Sequence, residues 1–201
     1  MSAAETKIIN LALVQLGEDT VAAVDQDPPP ARLVKILPHL QPAIEAVLMK
    51  HGFLCALEYA TLLPSPDAPT SWAFPFSYVA PDGCLRLWRV ERASGWERGR
   101  WERQDSASRV IIRAVEGGAL NLAYVKRRSA DALDPHLHDA IAFEVAARAC
   151  RPMNGSVERA NELRDLARDA YLSALGVDGG DARADEVMFV DRVAALRASA
   201  L

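Results

Sequence analysis

FLCALEYATLL, Phe53 to Leu63, is where the hydrophobic period of the chain changes. Upstream of it Leu33, Leu37, Leu40, Ile44, Val47 and Leu48 recur at steps of three and four, the spacing of one helix face. From Phe53 the pattern becomes alternation: Phe53, Cys55, Leu57, Tyr59, Thr61 and Leu63 are separated by smaller or polar residues, as on a half-buried strand. A chain that passes from a helical to a strand period within a few residues is α+β.

Working outward from that switch, the long helix ahead of it should kink near Pro38 or Pro42, because proline removes a backbone donor. Three consecutive prolines, Pro28 to Pro30, separate it from a short amphipathic helix over Thr6 to Leu16 that Gly17 stops. Downstream, a proline-rich loop leads to an extended aromatic segment, the turn Pro81-Asp82-Gly83 and strands at Cys84–Glu91 and Val110–Val115. Gly117-Gly118 suits a two-residue hairpin, which makes Leu120, Leu122 and Tyr124 a return strand. Helices resume after Asp134-Pro135, a cap followed by proline at the first helical position, with Leu137, Ile141, Val145 and Ala149 as the buried stripe. Pro152 and Gly155 end that helix. Ser156 caps the next, whose Leu163, Leu166, Ala170, Tyr171 and Leu175 face one way before Gly176. The predicted architecture is an antiparallel helical bundle (1–52 and 134–176) with a small antiparallel sheet inserted between the two helical pairs (53–128). A flexible Gly-Asp joint and a C-terminal helical tail occupy 177–201.

Composition excludes several function classes. Half of the 201 residues are hydrophobic and a quarter charged, enough to build a core and too apolar for a disordered chain. A net charge of -4 argues against bulk attraction to a phosphate backbone. Cys55, Cys84 and Cys150 are odd in number and sit in apolar surroundings, so they read as buried thiols in a reducing compartment. No leader segment and no apolar run long enough to span a bilayer is expected.

The sequence offers no phosphate loop and no Gly-x-Gly-x-x-Gly after a strand. His136 and His138 are two apart, which sends them to different sides of a helix, so no metal site is expected from them. Cys84 beside Asp82 opens a strand with no helix N-terminus to activate it. Glu97, Glu102 and Asp105 lie among Arg98, Arg100 and Arg103 as a mixed-sign surface. No catalytic, cofactor or metal site is therefore predicted, and no enzyme.

Three features point instead to contacts between proteins or within the fold. Trp96, Arg98, Arg100 and Trp101 form a tryptophan–arginine stretch that either meets another chain or folds back on its own sheet. The tail carries an apolar strip, Val187, Met188, Phe189, Val193 and Leu196, on a helix too short to be stable alone. Trp72, Phe74, Phe76 and Tyr78 alternate along an extended segment without basic residues between the rings, which argues for a structural plug and against a base-stacking platform.

The order of parts resembles the head-to-tail adaptors of tailed bacteriophages. A leading helix ending ALVQLG, then VLMKHGFLCALEYATLL, PTSWAFPFSYVAPDGCLRLWRV, a Gly-Gly turn and LNLAYV…LDPHLHDAIAFEVAARAC carry the likeness, which runs from about Thr6 to Gly176. It is similar above all to the tail tubular protein A group and to adaptors of prophages and gene transfer agents, with departures at His51-Gly52-Phe53 and at Phe76. The resemblance implies a structural virion protein made in the bacterial cytoplasm. It would form a homo-oligomeric ring, dodecameric in that family, under the portal protein, and meet a tail or nozzle (stopper) protein below. DNA would pass its channel without specific binding, no membrane would be involved, and the tail strip would dock on the portal. An acidic chain suits a channel to which DNA must not stick. The alternative is a cellular α+β protein-binding module, or an enzyme whose site is assembled from scattered residues.

Overall fold

The computed structural model describes residues 2–66, 68, 70–92, 101–106, 109–154 and 157–198, without the side chains of 92, 106, 154 and 181–198. It is α+β, and the chain divides into a helical unit, Met1–Cys55 with Arg128–Leu201, and an all-β unit, Ala56–Arg127.

In the helical unit, α1 (Ala3–Gln15) begins three residues earlier than the apolar spacing predicts, because Ser2 and Glu5 form a capping box. The Glu5 amide donates to Ser2 Oγ at 3.2 Å and the Ser2 amide to Glu5 Oε2 at 2.9 Å, which satisfies two otherwise orphan donors. Gly17, at φ +74°, closes the other end as predicted. The buried face is Ile8, Ile9, Ala12 and Leu13, whereas Val14 is exposed. The second helical stretch is broken at Pro38, one of the two expected places: α2 (Ala31–Ile36), a 3-10 turn at Leu37–His39, then α3 (Leu40–Lys50). Leu33, Ile36, Leu40, Ala43, Ile44, Val47 and Leu48 line its buried side.

A 3-10 turn, Pro135–Leu137, starts the later helices, and Asp134 precedes it without a side-chain cap bond. α4 (His138–Asn154) is the central element and packs against α1, α2, α3 and a last helix, α5 (Val157–Ala198). The predicted stripe of Leu137, Ile141, Val145 and Ala149 is fully buried. Pro152 lies inside α4, not beyond its end, and the expected stop at Gly155 and cap at Ser156 fall outside the described residues. The α5 stripe is narrower than the sequence suggests: Ala160, Leu163, Ala167 and Ala174 are buried and Leu166 is exposed. Small residues allow α5 to lie close to the alanine-rich α4. The expected stop at Gly176 and the flexible joint after it are corrected: α5 is one helix through Gly176, Gly179 and Gly180, none of which has a positive φ. A helical glycine costs about 1 kcal/mol relative to alanine, which weakens a helix without ending it.

The β unit holds β1 (Leu57–Leu62), β2 (Phe76–Val79), β3 (Cys84–Arg92), β4 (Trp101–Ser106), β5 (Arg109–Ala114) and β6 (Leu120–Lys126). They form two antiparallel three-stranded sheets, β1-β6-β3 and β2-β5-β4, where the sequence predicts one. Tyr78, Ile112 and Ala114 from one sheet and Val90, Leu120, Leu122 and Tyr124 from the other share a single buried cluster. The Gly-Gly hairpin is therefore corrected: β5 and β6 belong to different sheets, and 115–119 crosses between them. Gly117 is required there because a Cβ would come within 2.7 Å of the Phe76 ring, and Gly118 has φ +102°. The Pro81-Asp82-Gly83 turn forms as expected, with Gly83 at φ +78° and the Cys84 amide donating to the Pro81 carbonyl at 3.2 Å.

β1 also corrects the reading of FLCALEYATLL. The strand starts at Leu57, and its core-facing residues are Ala60 and Leu62, while Tyr59, Thr61 and Leu63 are exposed. Alternation is present, but with the opposite face buried. Register decides this: Ala60 pairs with Leu122 and Leu62 with Leu120, both core residues of β6.

Candidate functional site

The aromatic segment does not act as a unit. Tyr78 is fully buried, and its hydroxyl donates to the Gly118 carbonyl at 2.9 Å, which ties β2 to the crossing segment. Phe76 lies over Gly117. Phase is lost ahead of β2, where Phe74 is half-buried in a turn and Trp72 is 97% exposed. Trp72 is therefore not part of a plug. An extended strand would have placed all four rings on one face, but the strand begins only at Phe76.

Of the tryptophan–arginine stretch, Trp96, Arg98 and Arg100 lie outside the described residues. Trp101 opens β4 and packs, half-buried, against the cluster shared by the two sheets, the fold-back alternative for that residue. Charges near it pair locally: Arg103 Nε donates to Asp105 Oδ1 at 2.7 Å and Arg113 Nη1 to Glu102 Oε1 at 3.3 Å. Val187, Met188, Phe189, Val193 and Leu196 fall on α5, but their side chains lie outside those described.

The β unit carries several large exposed apolar side chains. Tyr59 is 77% exposed, Leu63 72% and Trp72 97%; Trp88 adds a partly exposed ring with the Arg86 guanidinium 5.2 Å from its centroid. Beside Tyr59, a shallow pocket is lined by Thr61, Arg89, Glu91, Asn121 and Ala123, with Arg89 paired to Glu91. Sequence reasoning missed Tyr59 and Leu63 as surface residues, because the alternation that contains them reads as a core face.

Two of the thiols sit where burial disfavours the thiolate. Burial pushes Cys55 up to about 11, with the neighbouring Asp134 carboxylate adding to the rise and a backbone hydrogen bond there opposing it. Burial also raises Cys84, against the Arg103 guanidinium. His138 is buried, and desolvation holds it below the ordinary imidazole range. Among the described residues, Asp134, His136 and Asp178 could hold a metal ion, their ligand atoms all within 4.8 Å of one another. His138, the neighbour that local spacing offers to His136, is not among them. Among the described residues no helix is long and apolar enough to cross a membrane.

No protein-family profile and no curated protein sequence matches the chain. Among solved structures, a chain from the virion of a native gene transfer agent particle is similar, with 18% identity over 84% of this chain and 91% of that chain. The TM-score of 0.32 is too low to carry a functional argument.

Proposed function

We propose that this protein is a structural component of a phage-type particle, a head-to-tail adaptor that works through protein–protein contacts and not by catalysis. Its copies form a closed ring, dodecameric as the resemblance implies, between a portal protein and a tail or stopper protein. The observation that carries the reading is the order of parts: an all-β unit inserted into the connection between two halves of a helical unit, the arrangement that the motif resemblance from Thr6 to Gly176 implies. Exposed Tyr59, Leu63 and Trp72 support it, since large apolar side chains of this kind gain from cover by another chain. A ring needs two different faces per subunit that close by rotation. The net charge of -4 suits a channel that DNA traverses without specific binding.

Electron microscopy of the full chain mixed with the portal protein of the same genome tests the assignment. The expected result is a ring seated on one end of the portal. A chain that stays unbound, with portals bare on both ends, would remove the adaptor reading and leave a cellular binding module as the competing one.

A further inference from the structure

Asp178 is an anomaly in α5. It is a carboxylate 3% exposed, and a buried charge is costly unless it is paired and fully hydrogen-bonded. One oxygen, Oδ1, accepts a hydrogen bond from the Leu54 amide at 3.0 Å. The other, Oδ2, stands 3.9 Å from His51 Nε2, beyond hydrogen-bond length. Among the described residues, a carboxylate with about four lone-pair sites is thus held by one short bond.

Two further ligating side chains converge on it from the turn ahead of α4. Asp134 and His136 each bring a ligand atom within 4.8 Å of Asp178 and of one another. His136 Nε2 is buried and has no hydrogen-bond partner among the described residues, although a buried imidazole nitrogen ordinarily finds one. A buried carboxylate with one short hydrogen bond and an imidazole with an unpartnered buried nitrogen thus belong to one cluster of ligating side chains.

We propose that Asp134, His136 and Asp178 form a binding site for one divalent cation of the zinc class, which clamps the turn ahead of α4 to the middle of α5. The donor set selects the metal. Magnesium and calcium take oxygen ligands, whereas an imidazole with two carboxylates suits a borderline cation such as zinc. Tetrahedral zinc, with bonds of 2.0–2.2 Å, places its donors about 3.4 Å apart, so side-chain rotations on the order of 1 Å close the site. Three protein ligands leave a fourth position for water. The position on α5 gives the cation a structural effect: Asp178 stands between Gly176 and Gly179-Gly180, where the helix has its weakest intrinsic propensity. This inference concerns the helical unit alone and does not rest on the adaptor reading.

The test uses the untagged full chain, stripped with chelator and titrated with zinc chloride, with binding read by calorimetry and metal content. The expected result is one zinc per chain, and a melting temperature raised by roughly 5–10 °C when free zinc is a hundredfold above Kd. Magnesium should produce neither effect. H136Q and D178N, the latter keeping an acceptor for the Leu54 amide, should each bind zinc at least about tenfold more weakly, a loss that even outer-shell substitutions reach. Cobalt substitution gives a second readout, because its visible spectrum reports coordination by nitrogen and oxygen donors and is lost in H136Q even if D178N fails to fold. Wild-type protein that takes up no zinc, or H136Q that binds zinc and cobalt as wild type does, overturns the proposal.

Discussion

Tyr78 and Trp72 are six residues apart in one aromatic run, yet the structure gives them opposite environments. Tyr78→Phe removes the donor to the Gly118 carbonyl, and unfolding by denaturant should show a loss of about 1–2 kcal/mol. Trp72→Ser should change stability by no more than about 0.5 kcal/mol, as for other surface positions. Equal losses in both would mean that Trp72 is packed after all. At Cys84 the pH dependence has a definite sign: burial raises the thiol, so less thiolate is present at a given pH and alkylation is slower. Peptide mapping after iodoacetamide labelling should show Cys84 reacting more slowly than an unhindered thiol at pH 8, its rate still climbing where the reference has levelled off.

At the scale of elements, β4 and α5 differ in what they bury. Trp101 packs on the core its two sheets share, so Trp101→Ala should cost about 2 kcal/mol, a half-buried fraction of the usual loss for a core tryptophan. An unchanged melting curve would return Trp101 to the set of pure interface residues. Among the described side chains of α5, Ala160, Leu163, Ala167, Ala174 and Asp178 are the buried ones. A chain ending at Gly180 retains all of them and should keep its melting temperature while losing portal binding, if the segment beyond serves docking. Undiminished binding by that shortened chain, measured by co-sedimentation with the portal, would exclude the docking role.

For the whole molecule, the division into two units has a direct consequence. Each unit closes the junction on its own side. The Lys126 amide donates to the Ala56 carbonyl at 2.8 Å in the β unit, and Arg128 Nε donates to the Cys55 carbonyl at 3.0 Å in the helical unit. The two ends of the insertion are thus close enough for a short link. Replacing Ala56–Arg127 with a linker of about four Gly and Ser residues should leave a helical protein that melts cooperatively by circular dichroism. A non-cooperative transition would show that the helical core depends on the β unit.

The sequence by itself determined the α+β class, the glycine cap at Gly17, a break near Pro38 or Pro42, the Pro81-Asp82-Gly83 turn and the buried stripe of α4. Each follows from forces acting within a few residues: period, φ preference, a missing donor. Only the tertiary structure decided which face of FLCALEYATLL is buried, because alternation fixes that a strand has two faces and the register with β6 fixes which one meets the core. It likewise decided that Gly117-Gly118 joins two sheets, since pairing partners are chosen by packing far along the chain. The same holds for α5, whose glycines lower local propensity although the helix continues past them, packed on α4 and on the Pro135–Leu137 turn. The ligating cluster lies beyond any local reading. His136 reads in sequence against its neighbour His138, but the side chains that meet it are Asp134 and Asp178, the latter brought from 42 residues away by the packing of α5 on α4.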